Sequence, residues 1–525
     1  MAIIKPNSQS KKLNLSAQIK PQEIDAMVKQ LNDGQLAIAE ASAKALISKS
    51  PNLFILHHVL SLALDGQHKT ADAIESYKNA LKLQPNTPDI LFNLGIALTQ
   101  INALNDAADC YKKAIDIKPD FFEAYGNLGT ILQRQGKLQE AILSYSQGLK
   151  INPKDARGYF NCATALRDNG DLQKAINNYL QAIALFSNYT DAHNNLGETW
   201  RDLGDMPAAV KCYQTALALN PKHPNANYNM AEFLVLSQKY EAAIAYFEAS
   251  LLDDWQIRCL YCLYKAQHFD AFKLSRNEIL NKANNSQIKH TSPFLATLST
   301  HYSINFNEPD PYNFCKNGLD FVYRNALPAL SANSQLLKDL LHDINTAHIV
   351  ERKQGRLTNG QQSAGNLFKR DEASFKALAE LIKQEFLAYK AKFTNDDCEL
   401  IKSFPTEIEF TSSWYVKMQQ GGHLNAHIHE IGWLSGAVYL AMPTLNGLEG
   451  AFEYGTHGDD YPQINTQFST EKSSSAKISS AKFPTAHILP NVGDIVLFPS
   501  SLFHRTIPFS ANQERICIAF DLKPK

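Results

Sequence analysis

The chain has 525 residues, which at roughly 100–200 residues per domain predicts three or four domains. Lys+Arg is 51 and Asp+Glu is 52, a formal net charge of −1, which excludes a broadly basic binder of nucleic acid or anionic membranes. With 44% hydrophobic and 20% charged residues the composition is ordinary for a globular protein, eight cysteines make no disulfide framework, and no apolar run approaches a bilayer span. The first residues, MAIIKPNSQSKKL, contain an apolar stretch too short for a signal peptide, so a cytoplasmic protein is expected.

A repeat fills the first half. Pro51, Pro85, Pro119, Pro153 and Pro221 fall on a period of 34 residues, with Ser187 in the slot that lacks proline. Tyr77, Tyr111, Tyr145, Tyr179 and Tyr213 keep the same period, and Phe247 continues it. Ala73-Ile74, Ala141-Ile142, Ala175-Ile176 and Ala243-Ile244 recur with it, while Gly34, Gly136, Gly170 and Gly204 lie between helical stretches. Proline stops a helix, glycine takes the left-handed turn, and alanine lets helices approach closely. A 34-residue helix–turn–helix of this kind resembles the tetratricopeptide repeat, over about seven units in residues 17–254. The resemblance implies a solenoid that binds an extended peptide or a protein on its concave face, and leaves self-association into a homo-oligomer open.

Asn93, Asn127, Asn161, Asn195 and Asn229 recur in the first helix of five consecutive repeats. The run resembles the asparagine column of the O-GlcNAc transferase superhelix, where amides clasp a peptide backbone through their paired donor and acceptor. Local helix packing is the other reading of the same column. Nothing downstream resembles the catalytic domain of that transferase.

Residues 255–405 read as a helical extension and bridge. Cys259 and Cys262 form a CxxC within an amphipathic helix with no second pair nearby, which reads as buried thiols rather than a zinc or redox site. Asn284 to Ser292 reads as a junction. The stretch from Ser292 to Tyr323 reads as helix, loop, helix, and Leu336–Val350 and Ala373–Phe393 as further helices. Thr358 to Ser363 is polar and loop-like, able to line a site or simply turn a corner.

In residues 406–525 the pattern turns alternating, β-branched and aromatic. Strands are expected at Glu407–Met418, Trp433–Leu440, Ala451–Tyr454, His487–Leu489, Asp494–Phe498, His504–Pro508 and Arg515–Leu522, the spacing of a jelly roll. Between Gly455 and Thr485 lies a long polar stretch with two serine clusters, which reads as a lid or an insert. The informative segment is GGHLNAHIHEIGWLSGAVYL, Gly421 to Leu440, where His427 and His429 are two apart and share one strand face. GDIVLFPSSLFHRTIPFSANQERICIAFDL follows, with His504 and, eleven residues on, Arg515.

This set is similar to the Fe(II)/2-oxoglutarate-dependent oxygenases, a prolyl-hydroxylase-like double-stranded β-helix, and most like the branch joined to tetratricopeptide repeats. The resemblance implies that His427 and His504 ligate Fe(II), with His429 in the place normally held by aspartate. His429 then either ligates as a third imidazole, or water or Glu430 completes the site; Glu430 points to the opposite face of a regular strand. Arg515 matches the residue that pairs with the distal carboxylate of 2-oxoglutarate, and Tyr439 the tyrosine that often shares it, although a core aromatic is an equal reading. His423 reads as surface or supporting, and Arg505 as outward-facing.

The expected architecture is multidomain α + β: a tetratricopeptide solenoid, a helical bridge and a jelly roll. The implied activity is that of a dioxygenase using Fe(II), 2-oxoglutarate and O₂ to hydroxylate a peptide or protein presented by the solenoid. The rivals are a non-catalytic scaffold with a degenerate barrel, and an oxygenase of small molecules.

Overall fold

The computed structural model describes residues 19–285, 292–347, 349, 351–352, 355–363, 366–430, 432–444, 446–464 and 483–525. The first 18 residues, part of the junction, and most of the serine-rich stretch lie outside them. The chain packs as two units, 1–221 and 222–525. No helix among the described residues is long and apolar enough to cross a membrane.

The first unit is a solenoid of paired helices, from Pro21–Asn32 with Leu36–Lys49 to Thr190–Leu203 with Met206–Leu219. The period explains itself in the packing. Ala39, Ala73, Ala107, Ala141, Ala175 and Ala209 are fully buried where helices approach. Tyr77, Tyr111, Tyr145, Tyr179 and Tyr213 are buried in the same register. Their hydroxyls find local partners in several repeats, Tyr145 with Thr130 at 3.1 Å and Tyr179 with Thr164 at 2.9 Å. Gly204 adopts φ +92° at the end of its helix, a conformation that side chains resist, and Asn102 fills the same turn of another repeat at φ +61°.

The second unit continues with the pairs Pro224–Leu236 and Tyr240–Ser250, then Trp255–Lys265 and Phe269–Asn285, and the helix Pro293–Phe306. Its sheet has ten strands: β1 Tyr323–Ala326, β2 Glu351–Arg352, β3 Leu357–Ser363, β4 Ile408–His427, β5 Leu434–Ala441, β6 Phe452–Gly455, β7 Thr485–Ile488, β8 Asp494–Pro499, β9 Phe503–Thr506 and β10 Arg515–Pro524. The order is β1-β8-β5-β10-β4-β9-β6-β7, with β3 on β4 and β2 on β3, and every pairing of named strands is antiparallel. It curls into a jelly roll.

All seven expected strands are present. Three more were not expected. Tyr323–Ala326, at the end of the stretch read as helix, loop, helix, extends the sheet beside β8, and the polar stretch Thr358–Ser363 is not a loop but most of β3. Its pairing comes from backbone groups laid along β4, which the side-chain pattern does not announce: Ser363 Oγ accepts the Tyr415 N–H at 3.0 Å.

Alternation divides the sheet cleanly. On β10, Ile516, Ile518, Phe520 and Leu522 join the core with the helices, including Phe375, Leu378, Ile382 and Phe386 of Ala373–Lys392. Arg515, Cys517 and Ala519 face the interior cavity. β4 is long because Gly421, at φ +75°, redirects it: residues before it pair with β10, and Leu424 and His427 pair with β9.

Candidate metal centre

The cavity inside the jelly roll has about 530 Å³ of space including its mouth. Its lining includes Trp414, Phe452 and Phe498, the three histidines His427, His429 and His504, and Tyr439 and Arg515.

His427 and His504 are direct partners in the β4–β9 register, so both rings project to the same side. His429 lies two residues past the end of β4 and returns to that side, while Ile428 between them enters the outer core. One ligand atom from each of the three lies within 4.8 Å of the others. Each ring has its Nδ1 against an acceptor: the Asn425 carbonyl at 2.8 Å for His427, the Leu502 carbonyl at 3.4 Å for His504, and Asp521 Oδ1 for His429. Nδ1–H donation at each ring leaves the Nε2 lone pairs turned inward.

The Nε2 atoms of His427 and His429 are 3.3 Å apart. Two acceptors facing each other at that distance repel unless a cation or a proton lies between them. Burial, with His429 alongside, pulls the His427 pKa down to about 3, and burial likewise holds His504 well below the ordinary histidine value. Protonation is therefore opposed, and the donor set fits a divalent metal that takes imidazole nitrogen.

Arg515 gives an independent sign of a missing partner. It is 2% exposed, its Nε has no hydrogen-bond acceptor among the described residues, and its neighbours there are the Tyr439 hydroxyl, Met418 Sδ at 3.8 Å and Cys517 Sγ at 3.7 Å from NH1, none of them an anion. Burying a guanidinium without an anion is costly, so the pocket suits a carboxylate ligand. Tyr439 is buried beside it, its ring centroid 5.1 Å from the guanidinium carbon; burial raises its hydroxyl pKa and Arg515 opposes the rise.

Residues 412–521 match the family model described as "Putative 2OG-Fe(II) oxygenase". Models described as "TPR repeat" match 67–102, 97–136 and 163–200, and those described as "Tetratricopeptide repeat" match 122–155, 190–223 and 212–245. The chain is a fusion of tetratricopeptide repeats with a domain of this oxygenase family. No curated protein matches it. Among solved structures it is similar to MamA, at 26% identity, over 31% of this chain and 95% of that chain, with a TM-score of 0.31. It is also similar to YrrB, described as a TPR protein with an unusual peptide-binding site, at 19% identity over 35% and 95%, TM-score 0.33. A tetratricopeptide repeat protein from Parabacteroides merdae aligns at 17% identity over 46% and 98%, TM-score 0.38.

The other expected residues of the fusion fall as follows. Glu430 turns away from the histidines and accepts from Arg258 NH1 on the helix Trp255–Lys265. His423 is half-buried with Nδ1 at 3.1 Å from the Gly421 carbonyl, and Arg505 is exposed and paired with Glu453. Cys259 and Cys262 are buried thiols whose pKa burial pushes up to about 12. Asn93, Asn127, Asn161 and Asn195 are half-buried on their helices, and Asn229 is buried. Asn127 and Asn195 share hydrogen bonds with the hydroxyls of Tyr111 and Tyr179, so part of the column serves local packing.

Sequence reading missed Asp521. It is 8% exposed and takes Ser435 Oγ at 2.7 Å and Ser412 Oγ at 2.8 Å besides His429. Burial acts to raise its pKa, but His429 and the two hydroxyls outweigh it and hold the carboxyl below the ordinary value. Its signal was in the β10 alternation, which puts it on the same face as Arg515.

Proposed function

We propose that this protein is an Fe(II)- and 2-oxoglutarate-dependent dioxygenase that hydroxylates a peptide or protein segment held by its repeats, in the cytoplasm. The observation that carries the reading is the convergence, in one cavity, of three inward imidazole Nε2 atoms and a buried arginine without an anion.

In this reading His427, His429 and His504 hold Fe(II) through Nε2, and Arg515 receives the distal carboxylate of 2-oxoglutarate with the Tyr439 hydroxyl beside it. Trp414, Val416, Leu424, Phe452 and Phe498 line the cavity with apolar surface and exclude water around the bound acid. The bound iron would couple oxidative decarboxylation, 2-oxoglutarate plus O₂ to succinate and CO₂, to conversion of a substrate C–H into C–OH. The protein's own share is to bind, orient and keep the site dry.

The peptide as substrate rests on the repeats and on the amides of Asn93 and Asn161 in that column. Succinate release by the full chain, with Fe(II) and 2-oxoglutarate, tests both parts. A peptide fraction should stimulate release, and Asn93→Ala with Asn161→Ala should reduce the stimulation without changing unstimulated release. Release indifferent to every peptide would favour a small substrate. No release under any condition would contradict the enzyme.

A further inference from the structure

β10 carries two charged side chains on its inner face, Arg515 and Asp521, and the proposed function uses only the first. Asp521 is a buried carboxylate on which three donors converge: His429 Nδ1–H and Ser435 Oγ on Oδ1, and Ser412 Oγ on Oδ2. Ser435 is itself held by Ser500 Oγ at 2.7 Å. Its one ion-pair partner among the described residues is His429; no lysine or arginine reaches it.

The three histidines are not oriented alike. His427 and His504 lean on backbone carbonyls, which fix a ring without adding charge. His429 alone leans on a carboxylate, and it alone stands where the family resemblance puts an aspartate. A buried carboxylate is expensive unless paired, and a serine or asparagine would have satisfied the same hydroxyls at lower cost.

We propose that Asp521 is the displaced carboxylate of this centre: it does not touch the metal, but locks His429 with Nε2 inward and supplies, across one imidazole, the negative charge that a ligating aspartate would have supplied. Asp521 is thus a positioning residue. The inference rests on the reading of His427, His429 and His504 as metal ligands.

Co(II) alone, titrated into the full chain by calorimetry and followed by the strongly shifted imidazole N–H signals of the cobalt protein, tests it. Wild type should bind one Co(II) and show three such signals, one for each Nδ1–H. Asp521→Asn, isosteric and still able to bond both serines, should weaken Co(II) binding by roughly 10- to 100-fold and move or lose one signal. His429→Asp should also weaken binding, because it sets two buried carboxylates against each other. Combining His429→Asp with Asp521→Asn returns the charge to one and should restore affinity to within about tenfold of wild type. That double variant decides the matter whether or not Asp521→Asn folds. Unchanged affinity with three unmoved signals in Asp521→Asn, or a double variant weaker than His429→Asp, would overturn the role given to Asp521. Wild type binding no Co(II), or binding no better than His427→Ala, would instead overturn the metal centre itself.

Discussion

The guanidinium of Arg515 lies over the ring of Tyr439 on the neighbouring strand, 5.1 Å from its centroid, with the Tyr439 hydroxyl and two sulfur atoms as its partners. No carboxylate among the described residues pairs with this cation, and an anionic ligand would. Arg515→Met should weaken 2-oxoglutarate binding by roughly 10- to 150-fold, the worth of hydrogen bonds to a charged group. It should also leave the ligand-free protein at least as stable as wild type, since an unpaired buried charge is removed. Calorimetry with 2-oxoglutarate and ligand-free melting curves check the two halves.

The triad makes a plainer prediction. His427→Ala or His504→Ala should reduce Co(II) or Ni(II) affinity by more than about 100-fold, since even outer-shell partners of a metal site cost 10–100-fold. Far-UV circular dichroism should be unchanged, because each ring is truncated within an existing cavity. Metal titration with both variants checks it.

Arg258 ties a helix to the segment that follows His429. It donates to Asp254 at 2.8 Å and to Glu430, the residue after His429. Arg258→Met should destabilise the protein by about 1–3 kcal/mol, moderated because the carboxylates it leaves retain some solvent. Through Glu430 it should also loosen His429 and lower Co(II) affinity. Urea unfolding and metal titration of the same variant measure both effects.

His301 sets a pH dependence away from the metal. It is fully buried, with Tyr264 Oη at 2.7 Å from Nδ1, His457 Nδ1 at 2.8 Å from Nε2, and Phe483 stacked on it. Burial, reinforced by His457 and Lys265, pulls its pKa down to about 3. The unfolded chain takes up this proton below about pH 6.5 and the folded chain does not, so stability is full above that value and falls as pH drops towards 3. His301→Gln should flatten the loss: between pH 7 and pH 5, wild type should lose about 1–2 kcal/mol more than the variant in urea titrations.

Much of this was legible in the sequence because it was periodic. The 34-residue columns of Ala73, Tyr77 and Pro85 and their equivalents are forced by one packing solution repeated, and the seven strands after Thr406 alternate as strands with two different faces must. What escaped was set by pairing across long separations. β3 has almost no apolar alternation, and its backbone pairs with β4 some sixty residues on. Arg258 and Glu430 are 172 residues apart, and neither announces the other. Asp521 lies in the middle ground: its phase with Arg515 was readable, but its partner His429 was 92 residues away and stood in a position normally acidic. The carboxylate had not vanished; it had moved one ring outwards.

In the proposed function iron and 2-oxoglutarate share the cavity between the histidines and Arg515. The most direct test is an anaerobic titration of the full chain with Fe(II) and then 2-oxoglutarate, followed by visible absorption. A charge-transfer band that requires both additions, and is lost in His427→Ala, is the result predicted. No band in wild type, or one that His427→Ala leaves unchanged, would contradict it.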